Sequence, residues 1–153
     1  IIFISYGLTI ALGVAYVMTE LLIWPILLVV IPTGLLVVAI LHANNTRDML
    51  QDKAAGIRTQ AMRLGVEGSQ VVYQTILLLA YLLIAVAVWI QLLTPLAFAV
   101  FLSFPLAMKG IRLMKKVTLE DLGIIRFLDT DTAKLVLIFS LLLATANFVA
   151  PFL

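Results

Sequence analysis

At 153 residues, 64% of them hydrophobic and only 12% charged, with a mean hydropathy of +1.21, the chain has the composition of an integral membrane protein rather than of a soluble domain. The absence of cysteine excludes disulfides and thiolate metal sites, and the single histidine, His42, excludes a multi-histidine centre within the chain. A net charge of +2 is too small to mark a nucleic-acid partner.

Ile1 stands inside an apolar run with no initiating methionine, basic leader or small-residue cleavage site, so the sequence reads as the C-terminal part of a longer protein. Residues 1–19 carry no charge and are just long enough to cross about 30 Å of hydrocarbon at about 1.5 Å per residue. Glu20 marks a short turn. Residues 21–41 form a second span, with Pro25 in its first turns and Pro32 and Gly34 predicting a kink in its middle. A polar island follows. The third span covers 71–93 and carries Trp89 near one end as an interfacial anchor. After a turn at Thr94 and Pro95, residues 96–108 form a shorter apolar run, broken by Ser103 and Pro105, that crosses only if kinked or tilted. A second polar stretch occupies 109–134, and 135–153 form the last span.

The basic residues test this topology independently. Arg47, Lys53, Arg58 and Arg63 lie in the first polar stretch, and Lys109, Arg112, Lys115, Lys116, Arg126 and Lys134 lie in or beside the second, which accounts for all 10. Alternating helices place both stretches on one side of the membrane. The positive-inside rule then predicts that loops 42–69 and 109–134 face the cytoplasm, as in a bacterial-type inner membrane. With no Gly/Ser linker and no short repeat, residues 1–153 are expected to form a single all-α domain, a polytopic transmembrane bundle of about five spans.

Residues 41–65, LHANNTRDMLQDKAAGIRTQAMRLG, concentrate amide and charged groups in a chain that has few of either. If the second span continues as helix beyond the membrane surface, Asn44, Asp48 and Asp52 repeat at every fourth residue along one face, with Asn45 beside them. Two carboxylates so spaced repel slightly, and a divalent cation reverses the sign. Carboxylate and amide oxygens suit Mg²⁺, which binds through one or two carboxylates together with substrate phosphates. Arg47, Lys53 and Arg58 would then neutralise phosphate oxygens. The plainer reading is that Asp48 and Asp52 make exposed ion pairs with their basic neighbours, since DxxxD alone is a weak signal. His42 reads as an interfacial hydrogen-bonder rather than a catalytic base. Glu120 with Asp121, and Asp129 with Asp131, read mainly as solvated loop charges, the second pair also suited to capping the last helix.

The run NNTRDMLQDKAAGIRTQAMRLG closely resembles the second aspartate-rich motif of the UbiA superfamily of intramembrane prenyltransferases, in the menaquinone-type form NN-x-RD-x3-D-x2-AG-x-RT. The preceding PTGLLVVAILHA is similar to the family's helix leading into that motif, and Gln60 departs from the leucine usual there. The resemblance implies that Asp48 and Asp52 are catalytic and belong to the metal site, with Mg²⁺ as cofactor, and that Asn44, Asn45, Arg47, Lys53 and Arg58 contact diphosphate. It implies a transfer in which a polyprenyl diphosphate ionises and its allylic cation alkylates an aromatic acceptor, here 1,4-dihydroxy-2-naphthoate, among membrane lipid. Members of the family have nine membrane helices and two aspartate-rich motifs. The spans of this chain look like the C-terminal half, and no second motif of that spacing occurs in it. Catalysis therefore depends on carboxylates supplied by a missing N-terminal half or by partner membrane subunits. The alternative is a non-catalytic integral subunit derived from the family, with a structural or quinone-guiding role. A generic packing role ranks third, and the spans hold no basic or acidic residue to act as a transporter's relay.

Overall fold

The computed structural model describes residue 4 and residues 8–152. In chain order the helices are α1 (Ile10–Thr19), α2 (Ile26–Arg47), α3 (Met49–Ala54), α4 (Gln60–Trp89), α5 (Phe104–Met114) and α6 (Leu128–Val149). Stretches of 3₁₀ helix at Pro95–Ser103, Leu122–Ile125 and Ala150–Phe152 join or extend them, and no strand occurs among the described residues. The fold is the all-helical polytopic bundle that composition requires.

Four helical segments are long and apolar enough to cross a membrane: Ile26–Arg47, Gln60–Trp89, Pro95–Met114 and Leu122–Phe152. The expected first span falls partly on residues 1–3 and 5–7, which lie outside the described residues; its described remainder is the short apolar α1. The run at 96–108 gains spanning length by a means the sequence reading did not foresee. Nine residues from the turn proline onward, Pro95–Ser103, take the 3₁₀ form, which rises about 2.0 Å per residue, before α5 resumes the ordinary pitch. Together the two stretches reach about 34 Å, enough for the hydrocarbon core.

Helix α2 is the centre of the bundle and packs most extensively on α4 and then on α6. Leu36, Ala39 and Ala43 of α2 are buried with Leu77, Ala80, Ile84 and Ala87 of α4 and with Leu135 and Phe139 of α6. The alanines let backbones approach closely, which is how membrane helices gain packing when hydrophobic expulsion from water no longer drives them together. Pro32 and Gly34 are buried, and α2 runs as one helix through both.

Two buried hydroxyl pairs fasten the interior. The Ser103 hydroxyl donates to the Val100 carbonyl at 2.6 Å, so the Tyr81 hydroxyl, 2.7 Å away, donates to Ser103. In the same way Thr132 donates to the Leu128 carbonyl at 2.6 Å and accepts from Tyr73 at 2.7 Å. Around Tyr81 the rings of Phe104 and Phe139 stand edge-on, with centroids at 5.1 and 5.4 Å.

The two polar stretches expected as loops are mostly helical. Residues 42–47 complete α2, 49–54 form α3, and α4 already begins at Gln60; likewise 109–114 belong to α5 and 128–134 to α6. Backbone groups near the membrane edge are satisfied within helices rather than left to solvent. Helix α3 stops at Gly56, whose φ of 71° lets the Gly56 and Ile57 amides turn back onto the carbonyls of Lys53 and Asp52 at 3.2 and 2.9 Å. Thr59 then opens α4, its hydroxyl accepting the Met62 amide at 3.4 Å.

Within α4 the helix breaks at Gly65, where φ is 68° and ψ is −177°. Only glycine adopts that region without strain. Gly65→Ala is therefore expected to destabilise the fold by about 1–3 kcal/mol through the backbone alone, because a Cβ there meets no atom within 4 Å. Thermal unfolding in detergent, with Gly13→Ala as an open helical control, measures it; equal midpoints for the two variants would contradict the strain.

Candidate functional site

Both polar stretches lie at one end of the bundle. The end of α2 meets the start of α6 through Arg47, and Gln70 of α4 donates to the Val117 carbonyl beyond α5 at 3.0 Å. At this end a cavity of about 610 Å³ opens between the α2–α3 junction and the start of α6, lined by Arg47, Asp48, Leu50, Gln51, Leu122, Gly123, Arg126, Phe127, Asp129 and Thr130.

Asp48 is the hinge between α2 and α3, with φ −91° and ψ 8°. It is a bend rather than a chain break: its amide donates to the Asn44 carbonyl at 3.0 Å, and its own carbonyl accepts from Asp52 at 2.8 Å. Asn44, Arg47 and Asp48 thereby keep helical spacing and face the same side.

The Arg47 guanidinium is the geometric centre of the site. Its Nε donates to Asp48 Oδ1 at 2.7 Å and one Nη2 hydrogen to Asp48 Oδ2 at 2.9 Å, a two-point grip on one carboxylate. The other Nη2 hydrogen goes to the Asn44 amide oxygen. Nη1 donates to Asp129 Oδ2 at 2.7 Å and to the Arg126 carbonyl at 3.2 Å. All five N–H groups of the arginine are therefore engaged by protein. Arg47, Asp48 and Asp129 are each about one quarter exposed, partly sheltered at the end of the bundle.

Of the residues expected at the site, Asn44, Arg47 and Asp48 converge. Asp52, one turn further on and partly buried, does not line this cavity. Asn45, also partly buried, has no side-chain partner among the described residues. Lys53 and Arg58 are exposed, and Lys53 instead edges a separate, mostly apolar recess of about 490 Å³ with Met49, Leu50, Met62, Leu64 and Glu67. His42 is 3% exposed and turned toward α4, where its Nε2 meets the Ser69 carbonyl at 3.1 Å; a carbonyl only accepts, so that nitrogen carries the proton. It staples two helices from a buried position, where the sequence reading expected an interfacial hydrogen-bonder.

Asp129 is the residue the sequence reading missed. It does not cap α6, whose N-cap is Phe127; it lies in the first turn, accepting the Thr130 amide on Oδ1 at 2.8 Å, while its other oxygen faces Arg47 across the cavity. The signal that could have found it was the topology itself, which put both polar stretches on one side. Asp131 points elsewhere, to the exposed Lys109 and Lys134 at 3.2 and 3.3 Å, a pairing worth little. Arg126 lines the cavity with its side chain stacked on the Phe127 ring at 5.2 Å and has no carboxylate within 4 Å among the described residues.

A bundle of membrane-length apolar helices belongs to the class of polytopic helical membrane proteins. The chain is a member of the UbiA prenyltransferase family, whose sequence pattern matches residues 1–123. It is similar to UbiA prenyltransferase domain-containing protein 1 of Ailuropoda melanoleuca, 34% identical over 155 aligned positions that take in 99% of this chain and 42% of that protein. The protein of the same name from Homo sapiens is 42% identical over 87 residues, 56% of this chain and 25% of its own length. The one from Dictyostelium discoideum is 44% identical over 52 residues, 34% of this chain and 16% of that protein. The chain thus spans less than half the length of these relatives. No solved structure matches it significantly.

Proposed function

We propose that this chain supplies part of an intramembrane enzyme that transfers a polyprenyl group from a prenyl diphosphate to an aromatic acceptor. The observation that carries this reading is the convergence of Asn44 and Asp48, from the motif that marks the family, with Asp129 of α6 on the Arg47 guanidinium at a cavity of about 610 Å³. The menaquinone-type form of that motif supports 1,4-dihydroxy-2-naphthoate as the acceptor. The clustering of basic residues at the same end supports a cytoplasmic orientation of that end.

The donor set fits Mg²⁺. The Asp48 carboxylate and the Asn44 amide oxygen are hard ligands of the right kind for an ion that keeps waters and shares its shell with phosphate. Among the described residues no three acidic or histidine side chains cluster, so the site suits an ion that arrives with its diphosphate rather than one caged by protein alone. Asp48 and Asn44 would hold it, with Asp52 as the second motif carboxylate one turn away. Bound there, Mg²⁺ supplies positive charge that stabilises the departing diphosphate. The chain's own part is to aim guanidinium donors from Arg47 and Arg126 into the cavity and to keep the reacting carbon against apolar walls such as Leu50, Leu122 and Phe127, away from water.

The complete protein is expected to join a polyprenyl diphosphate to 1,4-dihydroxy-2-naphthoate only when Mg²⁺ is present, with EDTA stopping product formation. Turnover indifferent to EDTA would remove the cation from the reading. The other reading, a non-catalytic integral subunit, draws on the saturated Arg47–Asp48 pair, which a protein that never meets diphosphate would simply keep. Absence of product with every aromatic acceptor tried, in protein that remains folded, would favour it.

A further inference from the structure

Neither Arg47 nor Asp48 is free for the role just given to it. Both oxygens of Asp48 are held by the same guanidinium, and that guanidinium has no N–H left for a phosphate. The two obstacles have one remedy, because releasing the Arg47–Asp48 contact frees a carboxylate for a cation and two N–H groups for phosphate together. What remains in place are the Nη1 bonds to the Arg126 carbonyl and to Asp129, the second of them charged and made to a different helix.

We propose that Asp129 is a positioning residue that keeps hold of the Arg47 guanidinium while a divalent cation and its diphosphate take over Asp48, so that Arg47 passes from carboxylate to phosphate oxygen without leaving the site. This rests on the assignment of Asp48 to a cation–diphosphate site. Asp129 is built for the task. Its Oδ1 is fixed by the Thr130 amide at the start of α6, which leaves Oδ2 aimed at Arg47 at 2.7 Å. Its charge matters as much as its position. A guanidinium pushed off Asp48 lies within a few ångströms of a divalent ion and is repelled by it unless a second carboxylate neutralises it. Asp129 is the only other carboxylate on Arg47 among the described residues.

The test uses Mn²⁺ as probe, with free Mn²⁺ read by electron paramagnetic resonance against the full chain in detergent and without diphosphate. Arg47→Gln removes the competitor and is expected to tighten Mn²⁺ binding severalfold. Asp129→Asn, close to isosteric, is expected to weaken it by about tenfold, the worth of one charge-assisted bond, and Asp129→Glu to restore most of the loss. Added to Arg47→Gln, Asp129→Asn should change nothing further. In the complete protein Asp129→Asn should raise the KM for prenyl diphosphate by about tenfold while kcat stays within about threefold.

Wild-type Mn²⁺ affinity in Asp129→Asn, even with a lowered melting temperature, would reduce Asp129 to a helix staple and overturn the proposal. An equal loss with and without Arg47→Gln would mean that Asp129 acts on the cation directly, which overturns it as well. Asp48→Asn separates the two levels: if it leaves Mn²⁺ binding unchanged, the cation-site assignment itself has failed. If it abolishes binding while Asp129→Asn does nothing, only the positioning role has failed.

Discussion

Asp48→Asn in the complete protein is expected to lower the initial rate of Mg²⁺-dependent prenyl transfer by at least about 10²–10³-fold, the cost of removing one group that stabilises developing charge. The substitution is close to isosteric, and the hydrogen bonds that carry helical geometry through position 48 are made by its backbone amide and carbonyl, so the α2–α3 junction should survive. What is lost is a full negative charge and one of two acceptor oxygens. Arg47 is then left with Asp129 as its only carboxylate, and the cavity turns net positive. Product formation at saturating Mg²⁺, with a melting curve to confirm folding, reads the effect. Asp52→Asn should also slow transfer, on the strength of the motif, although Asp52 does not line the cavity. Wild-type rates in both variants would sink the metal-site assignment.

Gly110→Ala should produce a large loss of stability, about 2–4 kcal/mol. A Cβ at this position falls 2.8 Å from the Tyr73 hydroxyl oxygen and 3.5 Å from a Leu128 methyl. The tyrosine cannot step aside: it is 1% exposed and tied to Thr132 at 2.7 Å. Crowding and the loss of that bond both contribute. The same clash predicts a rescue, because Tyr73→Phe removes the oxygen the new methyl would strike. Tyr73→Phe alone should cost about 1 kcal/mol, and the double variant should be more stable than the sum of the single changes predicts. Unfolding midpoints in detergent for the four proteins close the cycle. Simple additivity would show that Gly110 is needed for something other than room beside Tyr73.

Hydropathy alone located the membrane-length helices, because an apolar run of about 20 residues has little else it can be. It misplaced their ends. Asn44, Arg47 and Asp48 look like loop residues by polarity but close a helix whose backbone bonds continue through them, and the segment from Pro95 reaches spanning length by changing helix type, which apolar content does not reveal. The site was half legible. Asn44, Arg47 and Asp48 share a local spacing and a motif, so they could be grouped from the chain. Asp129 is 82 residues from its partner and sits in a stretch of ordinary loop composition, so nothing short of the three-dimensional packing of α6 on α2 joins them. Lys53 and Arg58, near Asp52 in sequence, do not line the cavity.

The 3₁₀ segment Pro95–Ser103 gives its part of the bundle more length per residue than an α-helix would. At three residues per turn, side chains three apart stack in a column, and Phe98, Phe101 and Phe104 do so, with centroids 5.9 and 6.2 Å apart, beside Tyr81. Rewinding these nine residues to the α form would shorten the crossing by about 4–5 Å and fan the rings apart by roughly 60° at each step. The aromatic column therefore matches the 3₁₀ form, in which its rings lie above one another, and would be lost in the α form.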